Sequence, residues 1–376
     1  MKILLYTIEM VKGVERLMPW RTLVEVAKYA SEIHEIIICS AQKPEDVREY
    51  DGVRIYSIDY GAEALRQFVE DGTWDVVYYP ITYRQGLKNV RTLSIINARM
   101  IAYIPGGLCP LSGSLKLVQM GEVKRALPYL LDTIIPHNWI AKKLQQAGFE
   151  SIIGQSPLTA RDALNSGWKT VVSALPGKEL CEVTFDESHL EKLGMKGQKF
   201  VLFSGAPAPT RGAVMAMKAF DTMAGRMSDT KMVMLMRRDV SSDFTDFEKA
   251  VKEIQHKDRF VISYDKITQK QLFCFFRDAW AVMLPFVIVP SEIPLTYFEV
   301  MGQGTPVITF ENGGTTDYLK EGLKIARKRT VGSLAKATME ICCNEVERNT
   351  LAEKAKEIMK NHPTWDKTSE EWLSVL

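Results

Sequence analysis

The residues able to do chemistry cluster between positions 199 and 317. Lys199-Phe200-Val201-Leu202-Phe203-Ser204 reads as a buried strand, Gly205-Ala206-Pro207-Ala208-Pro209-Thr210-Arg211-Gly212 as a loop, and Ala213 to Met223 as a helix. A strand feeding a Gly/Pro loop into a helix start presents free backbone N–H groups and the positive end of the helix dipole, which together favour an anion. Arg211 adds a fixed charge and a fork of donors matched to phosphate oxygens. An ordinary βα turn with a solvated Arg would use the same residue types, so this segment alone leaves both readings open. Arg237 and Arg238 end the next predicted strand and can add charge at the same edge. A second glycine turn, Asn312-Gly313-Gly314-Thr315-Thr316-Asp317, permits close backbone approach to an anion.

Between these turns lies Pro290-Ser291-Glu292-Ile293-Pro294-Leu295-Thr296-Tyr297-Phe298-Glu299, continuing through Gly302, Gly304 and Pro306-Val307-Ile308. The segment resembles the retaining family 4 glycosyltransferases, in which a Glu, seven residues and a second Glu precede a small-residue helix and a Gly-x-Pro-Val-Ile strand. Glu299, Gly302, Gly304, Pro306, Val307 and Ile308 stand where that pattern expects them. The Gly205 to Gly212 loop is similar to the family's donor-phosphate loop, and residues 312–317 to its Gly-Gly-x-x-Glu turn. Gly154-Gln155-Ser156-Pro157-Leu158-Thr159 and Ala174-Leu175-Pro176-Gly177 extend the resemblance, more weakly, into the first half.

The resemblance implies a GT-B fold, α/β, with two Rossmann-like doubly wound parallel-sheet domains facing a cleft. It implies a hexosyltransferase moving a sugar from a nucleoside-diphosphate sugar to an acceptor hydroxyl, with retention and without metal. The nucleotide sugar is then a substrate, and no cofactor is expected. Gly205, Arg211, Gly212, Arg237, Arg238, Gly313, Gly314 and Thr315 would bind the donor. Glu299 would accept hydrogen bonds from the donor's ribose hydroxyls, and Glu292 and Ser291 would stand at the reacting sugar. Glu299 is expected in the first turn of its helix, where a carboxylate is also favourable on dipole grounds alone.

The sequence departs from the family at several places. Ser291, not a Glu, stands eight residues before Glu299, with Glu292 adjacent; Ala206 replaces the loop's usual Arg and Arg211 its usual Lys. Pro105-Gly106-Gly107 occupies the region where members often carry a His. Two alternatives follow: a catalytically silent sugar-nucleotide-binding subunit, and a GT-B epimerase or phosphorylase. The acceptor, whether glycan, lipid or small molecule, is set by pocket shape and is not named by these residues.

Positioning such loops takes two series of short buried strands alternating with helices. The first reads Ile3 to Ile8, Glu35 to Cys39, Val53 to Ile58, Val76 to Tyr79, Met100 to Ile104, Thr133 to Pro136 and Val171 to Ala174; the second runs from Phe200 to Phe310. At 376 residues the chain exceeds what one core usually supports. The expected division is an acceptor-side domain 1–176, a donor-binding domain 177–360 and a C-terminal helix 361–376. Trp365 and Trp372 should dock that helix back on the N-terminal domain.

Composition narrows the function further. Hydrophobic residues at 46% and charged residues at 25% are those of a globular protein. A formal net charge of +2 argues against nucleic acid as the main partner. Met1 to Ile8 is too short for a signal or spanning segment. Six scattered cysteines, five scattered histidines and the lack of Asp-x-Asp predict reduced thiols, a cytoplasmic protein and no metal. Arg84, Lys88, Arg91 and Arg99 read first as a solvated helix face; the second reading is a peripheral contact with the anionic inner membrane surface.

Overall fold

The computed structural model describes residues 1–43, 45, 47–82, 89–106, 109–178, 184–238, 243–289 and 291–376. Its first sheet contains β1 (Lys2–Ile8), β2 (Glu35–Ala41), β3 (Arg48–Tyr50), β4 (Val53–Ile58), β5 (Val76–Pro80), β6 (Arg99–Ile104), β7 (Phe149–Gly154) and β8 (Thr170–Ser173). Side chains alternate between faces in a strand, and here both faces are covered. Leu4 and Tyr6 of β1 enter one apolar cluster while Ile3 and Leu5 enter the one beneath. The strand order is β3-β4-β2-β1-β5-β6-β7-β8, parallel apart from the edge pair β3–β4.

The second sheet contains β9 (Lys199–Gly205), β10 (Thr230–Met236), β11 (Phe260–Ser263), β12 (Ala281–Leu284), β13 (Val307–Phe310) and β14 (Leu323–Ala326), all parallel, in the order β11-β10-β9-β12-β13-β14. In β10, Met232, Met234 and Met236 join one core layer, and Val233 and Leu235 the other. Each sheet has one place where strand order reverses direction: between β1 and β5, and between β9 and β12.

Three sequence expectations need correction. Thr133 to Pro136 is not a strand; it is the end of the Val123–Ile134 helix and the turn after it, because the spacing Val123, Leu127, Leu131, Ile134 continues a helical stripe into the apolar run. The strands β7 and β14, which the apolar runs did not mark, complete the two sheets. The four basic residues do not form one helix face: Arg91 lies in the Val90–Leu93 helix, whereas Arg99 begins β6 and pairs with Glu150 at 2.8 Å and the terminal oxygen of Leu376 at 2.6 Å. Arg84 and Lys88 lie outside the described residues, as does Cys181.

The chain's end is fastened to its beginning. Trp372, in the Trp365–Leu373 helix, is fully buried in the first domain's core; its ring stacks with Tyr78, and its carbonyl accepts from the Tyr78 hydroxyl at 2.9 Å. Where this tail crosses between the domains, His362 donates from Nε2 to the Pro176 carbonyl at 2.7 Å, receives Tyr318's hydroxyl at Nδ1 at 3.0 Å and lies against Phe298.

Burial disfavours the charged imidazole and lowers the His362 pKa to about 4. An unfolded His titrates near 6.5, so as pH falls below that value the unfolded chain takes up a proton that the folded chain refuses, and stability is lost down to about pH 4. The shift corresponds to about 3 kcal/mol of lost stability over that window. Denaturant midpoints of wild type and His362→Gln across this range should diverge, with the wild type falling more steeply on acidification; parallel curves would refute the assignment.

Candidate functional site

Parallel sheets covered on both faces leave ligands the crevice at the carboxyl ends of the strands, at the reversal of strand order. In the second sheet that point lies between β9 and β12, and the loops after β9, β12 and β13 converge there. The β9 loop carries Gly205, Arg211 and Gly212. Thr210's carbonyl accepts the backbone N–H of Val287 at 2.8 Å, tying this loop to the one leaving β12. Gly212 caps the Ala213–Ala224 helix with φ +72°, and a Cβ there would overlap the Pro285 carbonyl oxygen, so only glycine closes this turn. Arg211's guanidinium lies 4.8 Å from the Phe286 ring centre.

The loop after β12 brings Ser291 and Glu292 to the cleft. Both line a small pocket, together with Cys109, Pro110, Asn312 and Gly314. Glu292 is only 1% exposed. Its Oε1 accepts from the hydroxyls of Ser156 and Thr159, which enter from the first domain just after β7. Its Oε2 is buried and has no partner among the described residues. Burial pushes the carboxyl pKa above the usual Glu value, against the opposing pull of the two hydroxyls. The cleft therefore holds a buried carboxyl at position 292, one residue after Ser291, with one of its oxygens unpartnered among the described residues.

The loop after β13 supports this carboxyl. Thr315's hydroxyl donates to the Glu292 carbonyl at 2.9 Å, which makes Thr315 a positioning residue for the β12 loop. Gly314 packs so closely that an added Cβ would overlap Glu292 Oε1 and Ser156 Oγ. Gly313 begins the Gly313–Leu319 helix with φ +38°. Asn312 donates from Nδ2 to the carbonyls of Phe286 and Phe310 at 3.0 and 3.1 Å, binding the ends of β12 and β13 together.

Other sequence-selected residues stand farther out. Arg237 is exposed, and its N–H donates to the Gly205 carbonyl at 2.9 Å, which sets it beside the β9 loop. Arg238 turns to aromatic rings, 5.0 Å from Tyr264 and 5.8 Å from Phe244. Glu299 is not in the first turn of its helix. The helix spans Leu295–Gly302, starting directly after Pro294, so Glu299 lies one turn inside. It sits on the half-buried side with Leu295 and Thr296 and is not part of the pocket wall.

Arg329 was not singled out in the sequence. It is 9% exposed and joins three segments: Nη1 donates to the Ser112 hydroxyl at 3.0 Å, Nε to the Val287 carbonyl at 3.3 Å and Nη2 to the Glu311 carbonyl. Burial raises the pKa of the Tyr297 hydroxyl, while the charges of Arg211 and Arg329 both oppose that rise, so two guanidinium groups bear on one buried point. Among the described residues, no group of three or more His, Cys, Asp or Glu side chains comes together as a metal site. The site joins two glycine turns, two guanidinium groups and one buried carboxyl with an oxygen unpartnered among the described residues.

No protein-family model matches the chain, and no curated protein matches its sequence. Solved structures match its whole length. The sucrose-phosphate synthase of Thermosynechococcus elongatus superposes with a TM-score of 0.73 at 14% identity, covering 100% of this chain and 98% of that one. Anabaena Alr3699/HepE in complex with UDP gives 0.72 at 13%, covering 100% of both chains. The UDP-forming α,α-trehalose-phosphate synthase of Burkholderia vietnamiensis gives 0.72 at 11%, covering 100% and 96%. The fold is GT-B.

A buried carboxyl with a raised pKa stabilises the folded state most when protonated, and this stabilisation is lost as pH rises through the raised value. Glu292→Gln removes the titration and keeps one acceptor. Lowering the pH from about 7 towards the ordinary Glu value near 4.3 should therefore stabilise wild type relative to the variant. A stability difference independent of pH would show that the carboxyl is not desolvated.

Proposed function

We propose that the chain transfers a sugar from a nucleoside-diphosphate sugar to an acceptor hydroxyl in the cleft between its two domains. The observation that carries this reading is the convergence of the β9, β12 and β13 loops, which bring Arg211, the glycine turns and a carboxyl with a buried Oε2, unpartnered among the described residues, to one end of the sheet. The main barrier is separating the sugar from the diphosphate. Fixed donors and positive charge aimed at the leaving oxygens lower it most. Arg211, the N–H groups around Gly205 and Gly212, and the start of the following helix supply these, and Arg329 adds charge nearby. Glu292 Oε2 accepts a hydroxyl of the transferred sugar. Protein groups in this role agree with the absence of Asp-x-Asp, so the proposed reaction needs no metal; retention follows the motif resemblance.

UDP is the first nucleotide to try, since Alr3699/HepE was solved with UDP and with UDP and glucose. The acceptor enters from the first domain, past the ends of β1, β5 and β6. The pocket beside Glu292 has room for about one water, so donor entry parts the Ser156–Glu292 contact and closure restores it. A second reading, a donor-binding subunit without turnover, draws on Ala206 in place of the loop's usual Arg. Hydrolysis of a panel of labelled nucleotide sugars separates the two.

Calorimetry should detect nucleoside diphosphate binding equally with and without a chelator; binding abolished by chelation would end the metal-free proposal. Arg211→Ala should weaken diphosphate binding by about 1.5–3 kcal/mol, the usual worth of a charged hydrogen bond, and nucleoside binding much less. Equal losses for both ligands would remove Arg211 from the phosphates.

Glu299→Gln tests the ribose assignment. A ribose contact predicts a loss of roughly 10- to 150-fold in donor affinity or turnover with folding intact. Normal turnover would assign Glu299 to the helix alone.

A further inference from the structure

Half of the exposed large hydrophobic side chains among the described residues, nine of eighteen, fall between positions 111 and 139. They are ordered by helical spacing, which sets them apart from scattered surface residues. Leu111, Leu115 and Val118 share one face of the Leu111–Gln119 helix; Val123, Leu127 and Leu131, continued by Ile134, share one face of the Val123–Ile134 helix. The nine are between 37% and 65% exposed. The hairpin's opposite side is spent on folding: Leu117 and Ala126 are buried in the core of the second domain, with Tyr129 packed against it. The hairpin thus has two apolar faces, and only one is covered.

Charge borders the open face. Lys124 stands about 100° round the helix from Val123, at the edge of the stripe. In the next helix, His137–Gln146, Trp139 is exposed between Lys142 and Lys143, three and four residues on and therefore on the same side. From 111 to 146 there are five Lys or Arg against two acids, Glu122 and Asp132; Glu122 is already paired with Arg125. A two-fold interface with a second copy would set like charges against each other. The centres of protein interfaces favour Tyr, Phe, Met and Arg and are poor in Lys. An aliphatic stripe with a Lys border and an exposed Trp matches the boundary between acyl chains and anionic headgroups.

We propose that the outer face of the 111–134 hairpin, with Trp139, Lys142 and Lys143, docks on the surface of an anionic lipid bilayer. Binding is peripheral: among the described residues no helix is long and apolar enough to cross a membrane. The face begins at Leu111, directly after Pro110 of the cleft pocket, so docking sets the cleft mouth against the lipid surface. This consequence, a lipid-borne acceptor, rests on the proposed transfer activity; the docking does not.

Sedimentation of the full chain with phosphatidylcholine vesicles, with and without phosphatidylglycerol, tests the docking and reads no transfer. Wild type should partition onto the phosphatidylglycerol vesicles and lose binding in high salt. A Val123→Ser, Leu127→Gln, Leu131→Gln variant and a Lys124→Glu, Lys142→Glu, Lys143→Glu variant should each lower partitioning about tenfold or more, with thermal midpoints kept. The second variant touches only exposed lysines, so the test stands if the first misfolds. No partitioning by folded wild type overturns the proposal. So does a wild-type dimer in solution that the first variant converts to monomer, which would assign the face to a second copy.

Discussion

Both faces of both parallel sheets are buried, and this constraint fixes where chemistry can occur. A strand whose alternate residues all enter cores, as Met232, Val233, Met234 and Leu235 do in β10, cannot present a side chain to a ligand from its middle. Only strand ends remain. In an order that reverses between β9 and β12, the loops leaving these two strands run to opposite sides and open a crevice between them. The Gly205–Gly212 turn and the Ser291–Glu292 segment are the walls of that crevice. The backbone bond from Val287 to the Thr210 carbonyl keeps them in register.

The carboxyl of Glu292 links this crevice to the first domain. It is held by Ser156 and Thr159 across the cleft, by Thr315 through its backbone, and against Gly314 by a contact that no side chain would permit. Two of these residues come from the second domain's loops and two from the first. A buried carboxyl is costly without partners, so its environment is best satisfied when the domains are together. Arg329, by contrast, reaches Ser112 on the 111–134 hairpin, which is itself packed against the second domain. Closure is therefore coupled to satisfaction of the buried Glu292 carboxyl.

The fold was legible because buried strands write an unbroken apolar run, and glycine and proline mark where each run must stop. The failures have equally local causes. Thr133 to Pro136 looks like a strand because a helix with a second, uncovered apolar face ends in the same residue types. In β7, Glu150 and Ser151 interrupt the run, and β14 is only Leu323–Ala326 with a lysine inside. Loop residues of the site could be read from their turn chemistry. Arg329 could not: it follows Arg327 and Lys328 in a basic run that reads as solvated, and its burial comes from Ser112, more than two hundred residues earlier. Glu299 was set at a helix start by motif spacing, although Pro294 already marked the true start five residues before it.

Placement of positive charge follows from the same geometry. Exposed guanidinium groups are screened by water, whereas a charge in a closed, low-dielectric crevice acts at much greater strength. Arg237 is exposed and Arg238 is engaged with Tyr264, so neither is held inside the crevice. Arg211 and Arg329 are the cations held inside, one against Phe286 and one among carbonyls. Carbonyl groups of Val287 and Glu311 satisfy Arg329's donors, and the Glu311 charge acts on it as well. In this arrangement domain closure both shapes the site and buries the Glu292 carboxyl, so the two cannot be altered independently by a single substitution at the interface.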